Sequence, residues 1–316
     1  MISVNERIQL NGIPLEKKKF AQYFHEVWDK LCNTENCPNT SSKQKDIASE
    51  NSDSTKTSME LGSQPELSQD MLLPRPSYFR FLTVMAFHTY LREGVNAAII
   101  EVGIGGEYDS TNIVKSPSVT AITSIGLDHV DILGKDLRSI AWNKSGIMKS
   151  GVAAIVYPEL DSDVRDVFVE RASEREAELK FCHKLDTGTD SNNTKSGSSQ
   201  IKLGIEGSHQ NQNAAIAIET VFEWLKKTGY GKILGLDVPV LADSSCFDRD
   251  NLPHWVLQAL SDTFWPGRSQ HFTDKSNKNI QWYLDGAHTV DSIQASAFIF
   301  IFVSLYWLFY IKKKYS

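Results

Sequence analysis

The sequence predicts an α/β protein built on a mostly parallel sheet, and three observations carry that prediction. Continuously apolar runs occur at Ala97–Ile100, Val119–Ile125 and Val152–Tyr157, the pattern of strands buried on both faces. Segments of helical periodicity, Phe79–Glu93 and Asn213–Lys227, each end at a glycine, Gly94 and Gly229. The 316 residues are 41% hydrophobic and 23% charged, an ordinary globular composition with enough apolar side chain for one large core or two medium ones.

The elements follow in chain order. Met1–Gly12 has neither an apolar signal core nor an arginine-rich amphipathic pattern. Residues of about 33–70 and 184–200 are Ser-, Thr-, Asn- and Lys-rich with few large apolar side chains, so they are expected to be disordered insertions. Phe79–Glu93 is the first clear helix. Ala97–Ile100 then runs into Glu101 and the glycines Gly103, Gly105 and Gly106. Val119–Ile125 runs into Gly126-Leu127-Asp128-His129, and Val152–Tyr157 stops at Pro158. Gln281–Leu284 is a last short strand, leading into Asp285-Gly286-Ala287-His288. Ligands of open α/β sheets bind beyond the carboxyl ends of strands, so three strand ends that each deliver ionisable residues predict one shared polar site. Ala297–Ile311 is apolar and aromatic and is followed by three lysines. It is shorter than the ~20 residues a spanning helix needs, but its Trp, Tyr and Lys residues could hold the chain at a membrane interface.

Charge and cysteine content narrow the function classes. A net charge of −6 and a pI of about 5.8 give no general attraction for nucleic acid, so a polyanionic ligand needs a local basic site. Cys32, Cys37, Cys182 and Cys246 are scattered, with no CxxC pair, which predicts neither a zinc site nor a disulfide framework and fits a reducing, cytoplasmic setting.

Glu101–Asn112, EVGIGGEYDSTN, looks at first like a phosphate loop. A P-loop, however, needs a lysine and a following helix, and Glu107-Tyr108-Asp109 follows here instead. The alternative is that Glu101 holds a cation while the glycines permit close approach of a ligand; the plainer one is a strand-end turn with a solvated glutamate. His129 is either a metal ligand or a structural histidine. Lys144 sits in an uncharged patch between Trp142 and Ile147, where partial burial would lower its pKa; a surface lysine is the ordinary explanation. Arg268, on the Trp265-Pro266-Gly267-Arg268 turn, suits a phosphate or carboxylate, or a structural ion pair.

Taken together, EVGIGGEYDSTN, SIGLDHVDILGKDLRSIAWNKSGIMK, GIEGSHQNQNAAIAI, WPGRSQ and WYLDGAHT resemble the folylpolyglutamate synthetase family of the Mur ligase superfamily. The resemblance runs from about Val4 to Trp28, Arg75 to Cys182 and Leu203 to Ala295. It implies ATP-dependent joining of L-glutamate to the γ-carboxylate of tetrahydrofolate through an acyl phosphate, in a monomer that binds no nucleic acid. It implies Glu101 and His129 as ligands of Mg2+, with Mn2+ or a monovalent cation as further candidates. Lys144 matches a lysine that related ligases carbamylate. Arg268 matches a phosphate-contacting arginine and Asp285 a nucleotide-contacting acid. Asn213 and His209 match positions near the adenine, and His288 one near the acyl-phosphate chemistry. Tyr78 and Phe79 lie where the family meets the pterin.

The resemblance also sets the expected domains. Residues 1–265 read as a Mur-ligase-like ATPase domain lacking its first strand and P-loop, and 266–296 as a linker and the start of a Rossmann-like glutamate-ligase domain. Residues 297–316 read as an apolar tail unlike the family. Members carry a GKGS-type loop upstream of the segment that begins here at Met1, and no GK[ST] occurs in this chain. The polypeptide as written is therefore expected to turn over little. The readings left open are a non-catalytic short form, membrane-associated through 297–311, and a dihydrofolate-synthase-type relative. A missing N-terminus leaves room for a mitochondrial form.

Overall fold

The computed structural model describes residues 3–32, 76–158, 160–186, 201–240, 246–287 and Ile293. The expected insertion at 33–70, most of that at 184–200, His288 and the tail at 297–316 lie outside the described residues. The chain divides into two compact units, Met1–Glu101 and Val102–Ser316.

The first unit begins with a hairpin of β1 (Gln9–Leu10) and β2 (Ile13–Pro14). Its turn is Asn11-Gly12, both at positive φ (52° and 76°), the pairing that a two-residue hairpin loop demands. Helix α1 (Lys17–Cys32) places Phe20, Tyr23, Phe24, Val27 and Trp28 at i, i+3, i+4, i+7 and i+8, one apolar stripe. That stripe packs on Phe81, Leu82 and Met85 of α2 (Tyr78–Glu93), which ends at Gly94 in the left-handed region. Glu93 accepts from Lys19 Nζ at 2.8 Å and from the Tyr23 hydroxyl, and His88 Nε2 meets Glu26 Oε2 at 2.6 Å, so both helices are also joined by charge.

After α2 the structure departs from the sequence reading. Ala97–Ile100 forms no strand, and Ile99 is 95% exposed. An apolar run reports a wish for burial; a strand also needs a ladder partner, and no described strand pairs with this one.

The second unit is a layered α/β body. Strands β3 (Thr120–Ile122), β4 (Ala153–Val156) and β5 (Glu178–Phe181) form a parallel sheet in that order. All four residues of β4 are buried, as a central strand covered on both faces requires. Successive side chains alternate between those faces. Ala154 and Val156 join Ala141 of α4 (Leu137–Ser145) and Val164, Val167 and Phe168 of α5 (Ser162–Arg175). Ala153, Ile155 and Tyr157 join Ala215, Ile218 and Phe222 of α6 (His209–Thr228). Short α3 (Val130–Leu133) precedes α4; α7 (Tyr230–Leu234) follows α6 at Gly229, and α8 (His254–Asp262) adds Val256 to the α6 core. Lys184–Asp186, expected to open a polar loop, instead carries a bridge from buried Leu185 to Phe247. Gln281–Leu284 is a strand as read, but it pairs antiparallel, as β7, with β6 (Gln270–Thr273), and Trp282 is 46% exposed. No helix among the described residues is long and apolar enough to cross a membrane.

Candidate functional site

The glycine stretch is occupied by the protein itself. The amides of Gly103 and Ile104 both donate to Asp109 Oδ2 at 3.1 Å, and Asp109 Oδ1 accepts from Thr111 N at 2.9 Å and from its hydroxyl at 2.6 Å. A carboxylate thus sits where a phosphate would. Gly106 lies against the end of α4: a Cβ there would stand 2.8 Å from the Lys144 carbonyl and 2.9 Å from that of Asn143. The glycines serve close packing, which agrees with the expectation that this loop does not cradle phosphate.

In the connection from β3 to α3, His129 caps α3 at φ 49°, a left-handed conformation that histidine tolerates better than most residues. Asp128 Oδ1 accepts from the His129 amide at 2.8 Å, and Asp128 Oδ2 stands 3.7 Å from His129 Nε2. Lys144 lies in the last turn of α4, which Asp136 caps by accepting from Ser139 N at 2.7 Å. Burial pushes the Lys144 ammonium below the ordinary lysine pKa, with Asp128 opposing. Desolvation wins, so this amine is more available as a neutral nucleophile than a surface lysine. Asp128, His129 and Lys144 form the first of three local groups.

The second group is at the helix start of α6. Gln210 joins two of the predicted residues: its Nε2 lies 3.0 Å from His209 Nε2, and its Oε1 accepts from Asn213 Nδ2 at 3.0 Å. His209 Nδ1 is buried without a hydrogen-bond partner, a polar atom left open. The third group is made by the β6–β7 ladder, whose register Gln270↔Leu284 sets the Trp265–Arg268 turn beside Asp285. Ser269 N donates to Asp285 Oδ2 at 2.6 Å and Ala287 N to Asp285 Oδ1 at 2.8 Å. Gly286 lies under the exposed Arg268 guanidinium, where a Cβ would overlap Nη1.

The remaining predicted residues stand in the first unit: Tyr78 is 63% exposed and Phe79 half-buried at the start of α2, and Glu101 is exposed at the unit's end. Among the described residues, no three His, Cys, Asp or Glu side chains converge as a metal cluster. A carboxylate and an imidazole, as at Asp128 and His129, fall short of an all-protein cage. They fit a cation that brings phosphate oxygens and waters as its other ligands. A cleft of about 480 Å3 lies elsewhere, between β5 and α6, lined by Lys180, His183, Glu219, Phe222, Glu223 and Phe247. It contains none of the predicted residues; its charges already pair with one another, Lys180 with Glu223 at 2.8 Å and His183 with Glu219 at 2.8 Å, so the three polar groups are the better candidates.

Sequence reasoning missed one feature. Glu107 accepts from Arg171 and, at 2.5 Å, from Arg175, two arginines one turn apart on α5. Their i, i+4 spacing opposite a loop glutamate was the available signal.

Comparison with known proteins adds the following. Residues 78–221 match the Mur ligase middle domain. A folylpolyglutamate synthase of Candida albicans is 37% identical over 297 residues, covering 93% of this chain and 50% of that protein. The apo form of L. casei FPGS superposes with a TM-score of 0.62 over 93% of this chain and 60% of that one; at 21% identity this is a likeness of fold. An FPGS–AMPPCP–folate complex aligns with a TM-score of 0.51 and 27% identity, covering 68% of this chain and 49% of that one. The chain spans about half the length of the curated relatives it matches.

Proposed function

We propose, from the premise that this chain belongs to the folylpolyglutamate synthase family and carries its Mur ligase middle domain, that it supplies part of an ATP-dependent ligase joining L-glutamate to a folate. In that reaction the folate γ-carboxylate attacks the γ-phosphorus of ATP and ADP leaves. The glutamate amine then attacks the acyl phosphate and inorganic phosphate leaves. The observation that carries the reading is Lys144, a desolvated lysine at a strand-end site beside Asp128 and His129, in a chain that aligns with an FPGS–AMPPCP–folate complex.

The roles proposed for this chain's residues follow from their chemistry. By the family likeness Glu101 and His129 are each candidate ligands of a divalent cation, Mg2+ or Mn2+. Such an ion, when bound, neutralises charge developing on the β- and γ-phosphates. Burial, by lowering the Lys144 pKa, favours the unprotonated amine, which can add CO2, release a proton and become an anionic carbamate. Arg268 donates to phosphate from an exposed turn braced by Asp285. His209, whose Nδ1 has no hydrogen-bond partner, and Asn213 stand at the α6 start for a purine edge, and His288 follows the Asp285-Gly286-Ala287 turn in sequence. Tyr78 and Phe79 offer aromatic faces to a pterin. Free thiols at Cys182 and Cys246 suit a reducing compartment.

Equilibrium binding of AMPPCP and of folate to the purified chain tests this, with Arg268→Ala and His129→Ala beside the wild type. A charge-assisted contact is worth about 1.5–3 kcal/mol, so Arg268→Ala should weaken AMPPCP binding by roughly tenfold or more. Nucleotide binding indifferent to both substitutions, or no binding of either ligand, would sink the reading.

A further inference from the structure

We propose that Glu107 is a positioning residue for Lys144: clamped between Arg171 and Arg175, its carboxylate seats the glycine loop on the last turn of α4 and so fixes where the Lys144 amine stands. The proposal rests on the reading above only in treating Lys144 as functional.

Five observations lead to it. Arg171 is 6% exposed, too buried for an unpaired cation; it meets Glu174 on its own helix at 2.7 Å and, across to the loop, Glu107, which Arg175 shares. The Arg171 guanidinium also lies over the Trp142 ring, 4.4 Å from its centre, on the same helix that carries Lys144. The Glu107 amide donates to the Asn143 carbonyl at 2.8 Å, one residue before Lys144. Gly146, just past the helix, admits no Cβ because the Glu107 backbone and side chain occupy that space. Asn112 closes the seam by donating to the carbonyls of Glu107 at 3.1 Å and Gly146 at 3.0 Å.

One side chain thus ties α5 to the loop and its own backbone ties the loop to α4. Glutamine at 107 would keep the shape and remove the charge. Arg171 would keep Glu174, but Arg175 and nearby Lys149 would face each other without the anion that Glu107 supplies. The loop would lift from α4, water would reach the helix end, and the Lys144 ammonium would regain solvation.

Competitive acetylation of the purified full chain, read by peptide mass spectrometry from neutral to alkaline pH, gives the titration of each lysine without nucleotide, folate or turnover. Glu107→Gln, Glu107→Asp and Arg175→Gln are compared with wild type, each with its melting temperature. The expected result is a Lys144 curve displaced to higher pH in Glu107→Gln, with labelling at neutral pH lowered by roughly threefold or more. Arg175→Gln should show a smaller displacement of the same sign, and Glu107→Asp should restore most of the wild-type curve. A folded Glu107→Gln protein whose Lys144 curve is unmoved, with only its melting temperature lowered, makes the clamp merely structural and overturns the proposal. Should Glu107→Gln not fold, an unmoved curve in Arg175→Gln overturns it equally. Failure here leaves the ligase reading standing, and failure of nucleotide binding leaves the clamp standing.

Discussion

The smallest decisive feature is a missing methyl group. Gly106 has no space for a Cβ, because two carbonyls of α4 already stand within contact distance. Gly106→Ala must push the loop off the helix or distort the helix end, and overpacking of this kind costs about 1–3 kcal/mol. Urea unfolding of the variant should show that loss, with an unchanged denaturant slope; a variant as stable as wild type means that the loop is not seated there. The same carbonyls explain why the glycine motif was only half legible. Its sequence separates it from a P-loop, since Glu107-Tyr108-Asp109 replaces lysine and helix. That Asp109 would fold back to occupy the amides of Gly103 and Ile104 was not readable from spacing, because it depends on the chain reversing within six residues. Lys144 was legible as an amine in apolar company, and burial does depress its pKa.

At the scale of elements, apolar periodicity found α2 and α6 but passed over α1, whose Phe20–Trp28 stripe is equally apolar, and α5, which packs partly through charge. Helix α6 and strand β4 were readable because Ala215, Ile218, Phe222 and Ala153–Val156 are buried without polar help. Helix α5 was not, because one of its inward positions is Arg171 and the carboxylate that admits it comes from a loop far away in sequence. Conversely, Ala97–Ile100 had a strand's composition and no ladder. The α1–α2 pair gives a prediction at this scale. Hydrogen bonds from Lys19 and then Tyr23 hold the Glu93 carboxyl below its ordinary pKa, and Gln22 and then His88 do the same for Glu26. Carboxyls with a folded pKa below the unfolded value stabilise the fold above the unfolded pKa, and that stabilisation is lost as pH falls from there through the folded pKa. The first unit should therefore lose stability from about pH 5 downward, and Glu93→Gln should start lower at neutral pH and fall less on acidification. Melting curves of both proteins across that range that run parallel would refute the assignment.

For the whole molecule, binding and turnover should come apart. The fold class and the likeness to folylpolyglutamate synthases were legible because several separate motifs occur in order, and the matched segment covers 93% of the chain. The chain nonetheless spans about half the length of those relatives, and a catalytic constellation is an ensemble property: each group aligns reactants only if the others are present. This polypeptide contains no GK[ST] sequence, so no P-loop lysine or amide nest of that kind is available to the β- and γ-phosphates. Removing a single preorganised donor in other enzymes lowers kcat by about 100- to 1,000-fold, and here several would be wanting together. The expected outcome for the isolated chain is measurable AMPPCP binding with glutamate incorporation into tetrahydrofolate at least about 1,000-fold below a complete synthase assayed in parallel. Rates within tenfold of the complete enzyme would mean that the three local polar groups align the phosphates unaided. That would leave Arg268, on its turn braced by Asp285, to hold the phosphates without a P-loop.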